Sequence, residues 1–125
     1  MNENELAAIA VDVAYQIHTR LGPGLLESVY HAIMLHELRK RELFVEFEKP
    51  VPVIWNELEL EIGFRADLIV EHKLILELKS IEQIAKVHKK QLLTYMRLTN
   101  CRLGLLINFG TELIKDGISR VVDKL

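Results

Sequence analysis

Gly63-Phe64-Arg65-Ala66-Asp67-Leu68-Ile69-Val70-Glu71-His72-Lys73-Leu74-Ile75-Leu76-Glu77-Leu78-Lys79 decides the fold. Two apolar runs flank the polar triplet Glu71-His72-Lys73, the pattern of two strands around a tight turn. A three-residue turn pairs Val70 with Leu74. The same register sets Asp67 opposite Glu77 and Arg65 opposite Lys79. Directly opposed side chains share a face, with Cβ atoms about 5 Å apart. Two carboxylates that close repel unless a proton or a cation lies between them. A hard divalent ion such as Mg²⁺ takes oxygen ligands and resolves the repulsion. Lys79 follows Glu77 by two residues and projects from the same face. An acid pair beside an ammonium is equipped for metal-assisted phosphodiester hydrolysis.

Charges at alternate positions also mark the solvated face of many strands. Here Leu68, Val70, Leu74, Leu76 and Leu78 fill one face, and Ile69 and Ile75 add apolar residues to the other. Such two-sided apolarity predicts a central strand pair covered on both sides, where a charge is costly unless paired or metal-bound. Structural ion pairs occupy such positions too, so spacing alone leaves both readings open.

Upstream, Leu6, Ile9, Val13 and Ile17 recur at helical spacing, which predicts a helix over 4–20 with Asn4 as its N-cap. Gly22-Pro23-Gly24 breaks it. A second helix follows over 25–41, its stripe formed by Leu26, Val29, Tyr30, Ile33, Met34 and Leu38. Glu27 lies along that stripe and also in the first turn, where a carboxylate favours the helix dipole. The dipole role is the simpler reading; a third carboxylate aimed into the protein is the other. The basic run Arg39-Lys40-Arg41 suits a helix C-terminus.

Phe44 to Ile54 reads as a strand whose prolines, Pro50 and Pro52, place it at an edge or bulge. Asn56-Glu57 is a turn. Leu58-Glu59-Leu60-Glu61-Ile62 alternates, with its acidic face in water, and Gly63 marks a bulge. Beyond the central hairpin a third helix is expected over 81–98. His88 and Gln91 are polar residues within its stripe and read as a hydrogen-bonded pair at the core edge. Lys86, Lys89, Lys90 and Arg97 lie off the stripe. Arg102 to Phe109 is a buried strand ended by Gly110, and 113–122 forms a short helix or strand around Gly117. The order of elements is that of an α/β sandwich with a mixed sheet.

At 125 residues, half of them hydrophobic, the chain is expected to be one soluble domain over 1–125. No apolar run approaches the ~18 residues of a membrane span. The polar, acidic N-terminus is unlike a secretory signal. The single Cys101 excludes an intrachain disulfide and fits a reducing cytoplasm. It reads as a small packed residue rather than a nucleophile. The net charge of −2 argues against a strongly electrostatic nucleic-acid binder. Residues 1–65 carry 6 basic and 11 acidic groups, and residues 66–125 carry 10 and 7. The positive half holds Asp67, Glu77 and Lys79, which is compatible with a local phosphate-binding face.

These residues, in this order, resemble the PD-(D/E)xK nuclease superfamily. Asp67, Glu77 and Lys79 match its acidic residue and its E-x-K element. More narrowly, Gly24-Leu25-Leu26-Glu27-Ser28-Val29-Tyr30 is similar to the naming motif of the GxxExxY family. Gly63-Phe64-Arg65-Ala66-Asp67, Gln91-Leu92-Leu93-Thr94-Tyr95 and Leu103-Gly104-Leu105-Leu106-Ile107-Asn108-Phe109 are similar to that family too. Ala66 stands where the superfamily often has proline.

The resemblance implies a restriction-endonuclease-like three-layer sandwich, a mixed central sheet flanked by helices. It implies a nuclease using Mg²⁺ or Mn²⁺ on DNA, or less favourably RNA. Asp67, Glu77, Glu27 and the Leu78 carbonyl would hold the metal. Lys79 and Gln91 would be catalytic, with His88, Lys86, Lys89 and Lys90 near the substrate. The same fold also serves non-catalytic nucleic-acid-binding or protein-interaction modules. A homodimer or a protein partner is compatible with either.

Overall fold

A computed structural model describes residues 1–125 apart from the side chain of Ile62, so the last position of the Leu58–Ile62 alternation lies outside the described residues. Two helices, α1 (Glu3–Leu21) and α2 (Glu27–Lys40), precede three strands, β1 (Val45–Trp55), β2 (Leu58–Val70) and β3 (Leu74–Lys79). Then follow α3 (Lys86–Thr99), β4 (Leu103–Asn108), a 3-10 turn at Ile114–Gly117, and β5 (Ile118–Val122). The strands form one sheet in the order β1-β2-β3-β4-β5. Every neighbouring pair is antiparallel except β3 and β4. A parallel pair needs a crossover, and α3 supplies it.

The two-sided apolarity of the central hairpin has its expected consequence, a core on each face. Leu68, Val70, Leu74, Leu76 and Leu78 pack with Leu6, Ala10, Val13, Tyr30 and Met34 of α1 and α2. Ile69 and Ile75 pack with Leu92 and Met96 of α3 and with Leu106. The architecture is a three-layer α/β sandwich. No described helix is long and apolar enough to cross a membrane. Cys101 is a buried free cysteine in the core under α3, and burial pushes its thiol up.

Asn2, not Asn4, caps α1. The Asn2 side chain accepts from the Glu5 N–H at 2.8 Å, and Glu5 Oε1 accepts from the Asn2 N–H at 3.0 Å. This reciprocal box needs a carboxylate three residues after the cap, which Asn2 has and Asn4 lacks. Helix α3 begins at Lys86 rather than Ile81. The buried Asn108 side chain takes the Ile81 backbone instead, accepting from its N–H at 3.0 Å and donating to its carbonyl at 2.9 Å.

β1 is the edge strand, as Pro50 and Pro52 require, and its register against β2 shifts between Val51 and Val53. Gly63 lies opposite that shift, where an added Cβ would stand 2.2 Å from Val53 Cγ2. The outer part of the β1–β2 ribbon departs from expectation. Leu58 and Leu60 are exposed like Glu59 and Glu61, and so are Ile54 and Trp55. The alternation there does not mark a buried face, because both sides of the ribbon meet solvent.

Candidate metal centre

The β2–β3 ladder runs Val70↔Leu74, Ile69↔Ile75 and Leu68↔Leu76, the register a three-residue turn demands. It stops one step short of Asp67 and Glu77. Beyond that point β2 continues against β1, with Ala66 beside Lys49 and Arg65 beside Pro50. β3 continues against β4, with Leu78 beside Ile107 and Lys79 beside Asn108. The strands therefore fork, and Arg65 does not pair with Lys79.

The fork frees backbone donors, and buried donors must be satisfied. Asp67 Oδ2 accepts from the Leu78 N–H at 2.8 Å, and Glu77 Oε1 accepts from the Asp67 N–H at 3.3 Å. Each carboxylate reaches across to the other strand, so the acids meet without a ladder pair. Glu77 is only 7% exposed. Burial, then the adjacent Asp67 charge, push its carboxyl up to about 8. At neutral pH it keeps a proton where no cation offsets the two charges.

Glu27 arrives from α2. Gly24 has φ +102, a left-handed conformation that favours glycine and turns the chain into the helix. Tyr30 then fixes the turn. Its ring stacks on Phe109 at 4.3 Å, and its hydroxyl donates to the Gly22 carbonyl at 2.7 Å and accepts from the Leu25 N–H at 3.2 Å. The Ser80 hydroxyl, just past β3, donates to the Leu25 carbonyl at 2.7 Å. These bonds tie the first turn of α2 to the end of β3. Glu27, half-buried, is thereby carried to the fork.

His31, one turn further along α2, was not foreseen. Its Nε2 lies 3.4 Å from Glu27 Oε1 and 3.4 Å from Asp67 Oδ2. The residue is 8% exposed, and its Nε2 has no hydrogen-bond partner. Burial acts to lower the imidazole pKa, but the Asp67 and Glu27 carboxylates outweigh it and hold the pKa above the ordinary value. Donor atoms of Glu27, His31 and Asp67 all lie within 4.8 Å of one another. Glu77 is outside that set, linked to it through Asp67. The available signal was the i,i+4 spacing of His31 from Glu27. Two carboxylates, an orphaned imidazole nitrogen and a buried neighbouring acid are a donor set that fits a divalent cation.

The remaining predicted residues are distributed around the fork. Lys79 is half-buried and forms no ion pair among the described residues. The Leu78 backbone lies against His31, where it adds to the upward pull on the imidazole. On α3, Gln91, Lys86, Lys89 and Lys90 are exposed. His88 does not pair with Gln91; its Nδ1 accepts from the Ala85 N–H at 3.0 Å and caps the start of the helix. Tyr95 is a second residue not singled out beforehand. It stacks on Phe64 at 3.7 Å. Burial, then the negative charges of Glu77 and Asp67, push its hydroxyl up.

A family model of the PD-(D/E)XK nuclease superfamily matches residues 4–121, nearly the whole chain. The three-layer sandwich with its mixed sheet is accordingly a restriction-endonuclease-like fold. No curated protein matches the chain. No solved structure matches it either.

Proposed function

The chain belongs to the PD-(D/E)XK nuclease superfamily, and on that premise we propose that it is a metal-dependent nuclease hydrolysing phosphodiester bonds, with DNA favoured over RNA. Within the superfamily we place it with the GxxExxY family, on Gly24, Glu27 and Tyr30. We read residues 1–125 as one nuclease domain. The observation that carries the reading is the convergence of Glu27, His31 and Asp67 at the fork, with Glu77 linked to them through Asp67 and Lys79 two residues beyond it on β3.

Asp67, Glu77 and Glu27, with the Leu78 carbonyl, would hold Mg²⁺ or Mn²⁺. Such an ion supplies Lewis-acid polarisation of the scissile phosphate and makes water a better nucleophile at neutral pH. Glu77 would bind the ion as a carboxylate, with its proton released to solvent. Lys79 orients the attacking water or stabilises charge developing on the phosphate. Gln91 contacts the water or a phosphate oxygen. Lys86, Lys89 and Lys90 meet the nucleic-acid backbone, which positions a substrate without reading its sequence. His88 retains only Nε2 for such a contact, since Nδ1 is spent on the cap.

The test is cleavage of single-stranded, duplex, branched and RNA substrates in Mn²⁺ or EDTA. Metal-dependent cutting, abolished by Asp67→Ala, supports the reading. A second reading rests on the exposed Trp55, Leu58 and Leu60, which share one face of the ribbon and form an apolar surface suited to a partner. It makes the chain a binding or interaction module. Salt-sensitive DNA binding with no cleavage in any metal would favour it.

A further inference from the structure

We propose that His31 is itself a metal ligand, through Nε2, and that its nitrogen biases the centre toward a first-row transition ion and away from Mg²⁺. The inference rests on the metal-centre reading above and says which ion that centre prefers. Three observations lead to it. First, Nε2 is buried, aimed between two carboxylates, and has no hydrogen-bond partner. Only two loose ionic contacts hold it, and a buried polar atom without a well-formed hydrogen bond calls for an explanation.

Second, the separations are those of co-ligands. A charge-assisted N–H···O bond between imidazolium and carboxylate would close to about 2.7–2.9 Å. Both distances are 3.4 Å instead. Two donors each about 2.1 Å from one ion stand roughly 3.0–3.4 Å apart at angles between a right angle and the tetrahedral one.

Third, the ring is held in place. It sits on helix α2 beside Tyr30, which is fully buried, and meets Phe47 of β1 edge-on at 6.4 Å. Mg²⁺ takes oxygen ligands and sheds its waters reluctantly. Imidazole suits the first-row ions from Fe²⁺ to Zn²⁺ better than the oxygen-seeking Mg²⁺ and Ca²⁺, so one nitrogen among oxygens discriminates between cations of equal charge; Mn²⁺, the weakest binder of that row, serves as the paramagnetic probe.

The experiment needs no substrate. Mn²⁺, Mg²⁺ and Ca²⁺ are titrated by calorimetry into the wild-type chain, His31→Asn and Asp67→Ala, with far-UV circular dichroism confirming that each is folded. Electron spin-echo modulation of the Mn²⁺-loaded wild type then reports directly whether nitrogen is bound, independently of any variant. The expected results are a ¹⁴N modulation, and an Mn²⁺ affinity about 10-fold or more weaker in His31→Asn with a smaller change for Mg²⁺. Mn²⁺ binding that is lost in Asp67→Ala but shows no ¹⁴N signal would overturn the role of His31 and leave the metal centre standing. Absence of any divalent-ion binding to the wild type would overturn both.

Discussion

Replacing Glu77 by glutamine should stabilise the metal-free protein, by a margin that grows with pH. Glu77 ionises near 4.5 in an unfolded chain and near 8 in the fold, because it is buried beside Asp67. Between those values the folded state binds more protons than the unfolded state. Stability therefore falls as pH rises through that window. At about 1.4 kcal/mol per unit the whole window is worth about 5 kcal/mol, and roughly half of it lies between pH 5 and pH 7. Glutamine copies the neutral carboxyl. Its carbonyl can still accept from the Asp67 N–H, and its amide has no proton to lose in this range. His31 titrates in both proteins and cancels to first order in the difference. The assay is urea unfolding followed by circular dichroism in EDTA at pH 5, 7 and 8.5, comparing wild type with Glu77→Gln. The variant should be nearly level with wild type at pH 5 and ahead by about 2 kcal/mol or more at pH 7 and above. A margin that stays flat across this range would refute the argument that Glu77 is held neutral by burial and Asp67.

Other outcomes follow from the same geometry. Mn²⁺ at a hundred times its dissociation constant should stabilise the wild type by about 2.7 kcal/mol, a gain that thermal melting should show reduced in Asp67→Ala. Tyr30→Phe removes the bond to the Gly22 carbonyl and should cost about 1 kcal/mol in chemical denaturation. Since that bond anchors the turn before Glu27, the same variant should also bind Mn²⁺ more weakly in calorimetry. Asn2→Ala should cost about 1 kcal/mol by loss of the helix cap, with metal affinity unchanged because α1 contributes nothing to the fork.

Much of the fold is readable in the chain because the central hairpin constrains it twice. The polar triplet Glu71-His72-Lys73 sets the register, and apolar residues on both faces require a layer of helices on each side. Pro50 and Pro52 call for an edge or a bulge, and β1 supplies both. The misreadings have local causes. Ile81 continues the apolar spacing of α3, but its backbone is claimed by Asn108 from a strand 27 residues away, a contact no local pattern reports. Leu58 and Leu60 alternate with acids as a buried face does, yet the ribbon carrying them stands in solvent.

The candidate site was partly readable for a different reason. Asp67, Glu77 and Lys79 lie close in sequence, so strand geometry alone brings them near one another. Strand geometry does not predict the fork, and the acids meet through each other's backbone rather than as a ladder pair. Glu27 reaches them only because Tyr30 and Ser80 bind the preceding turn to the sheet. His31 sits on the buried side of α2 between Tyr30 and Met34, where a polar residue reads as a surface residue unless the Glu27 spacing is weighed. Tyr95 comes from the opposite layer, and its nearness to the acids is a product of tertiary packing.

The most direct test of the central claim is single-turnover cleavage of a labelled oligonucleotide by Lys79→Ala, with Mn²⁺ affinity measured on the same preparation. Lys79 contributes no ligand in this account, so the variant should bind Mn²⁺ as the wild type does. It should cut slower by about 100-fold or more, the scale of losing one positioned general acid–base or electrostatic group. Cleavage that survives the substitution at the wild-type rate, with metal bound, would contradict the assignment of phosphodiester hydrolysis to this fork.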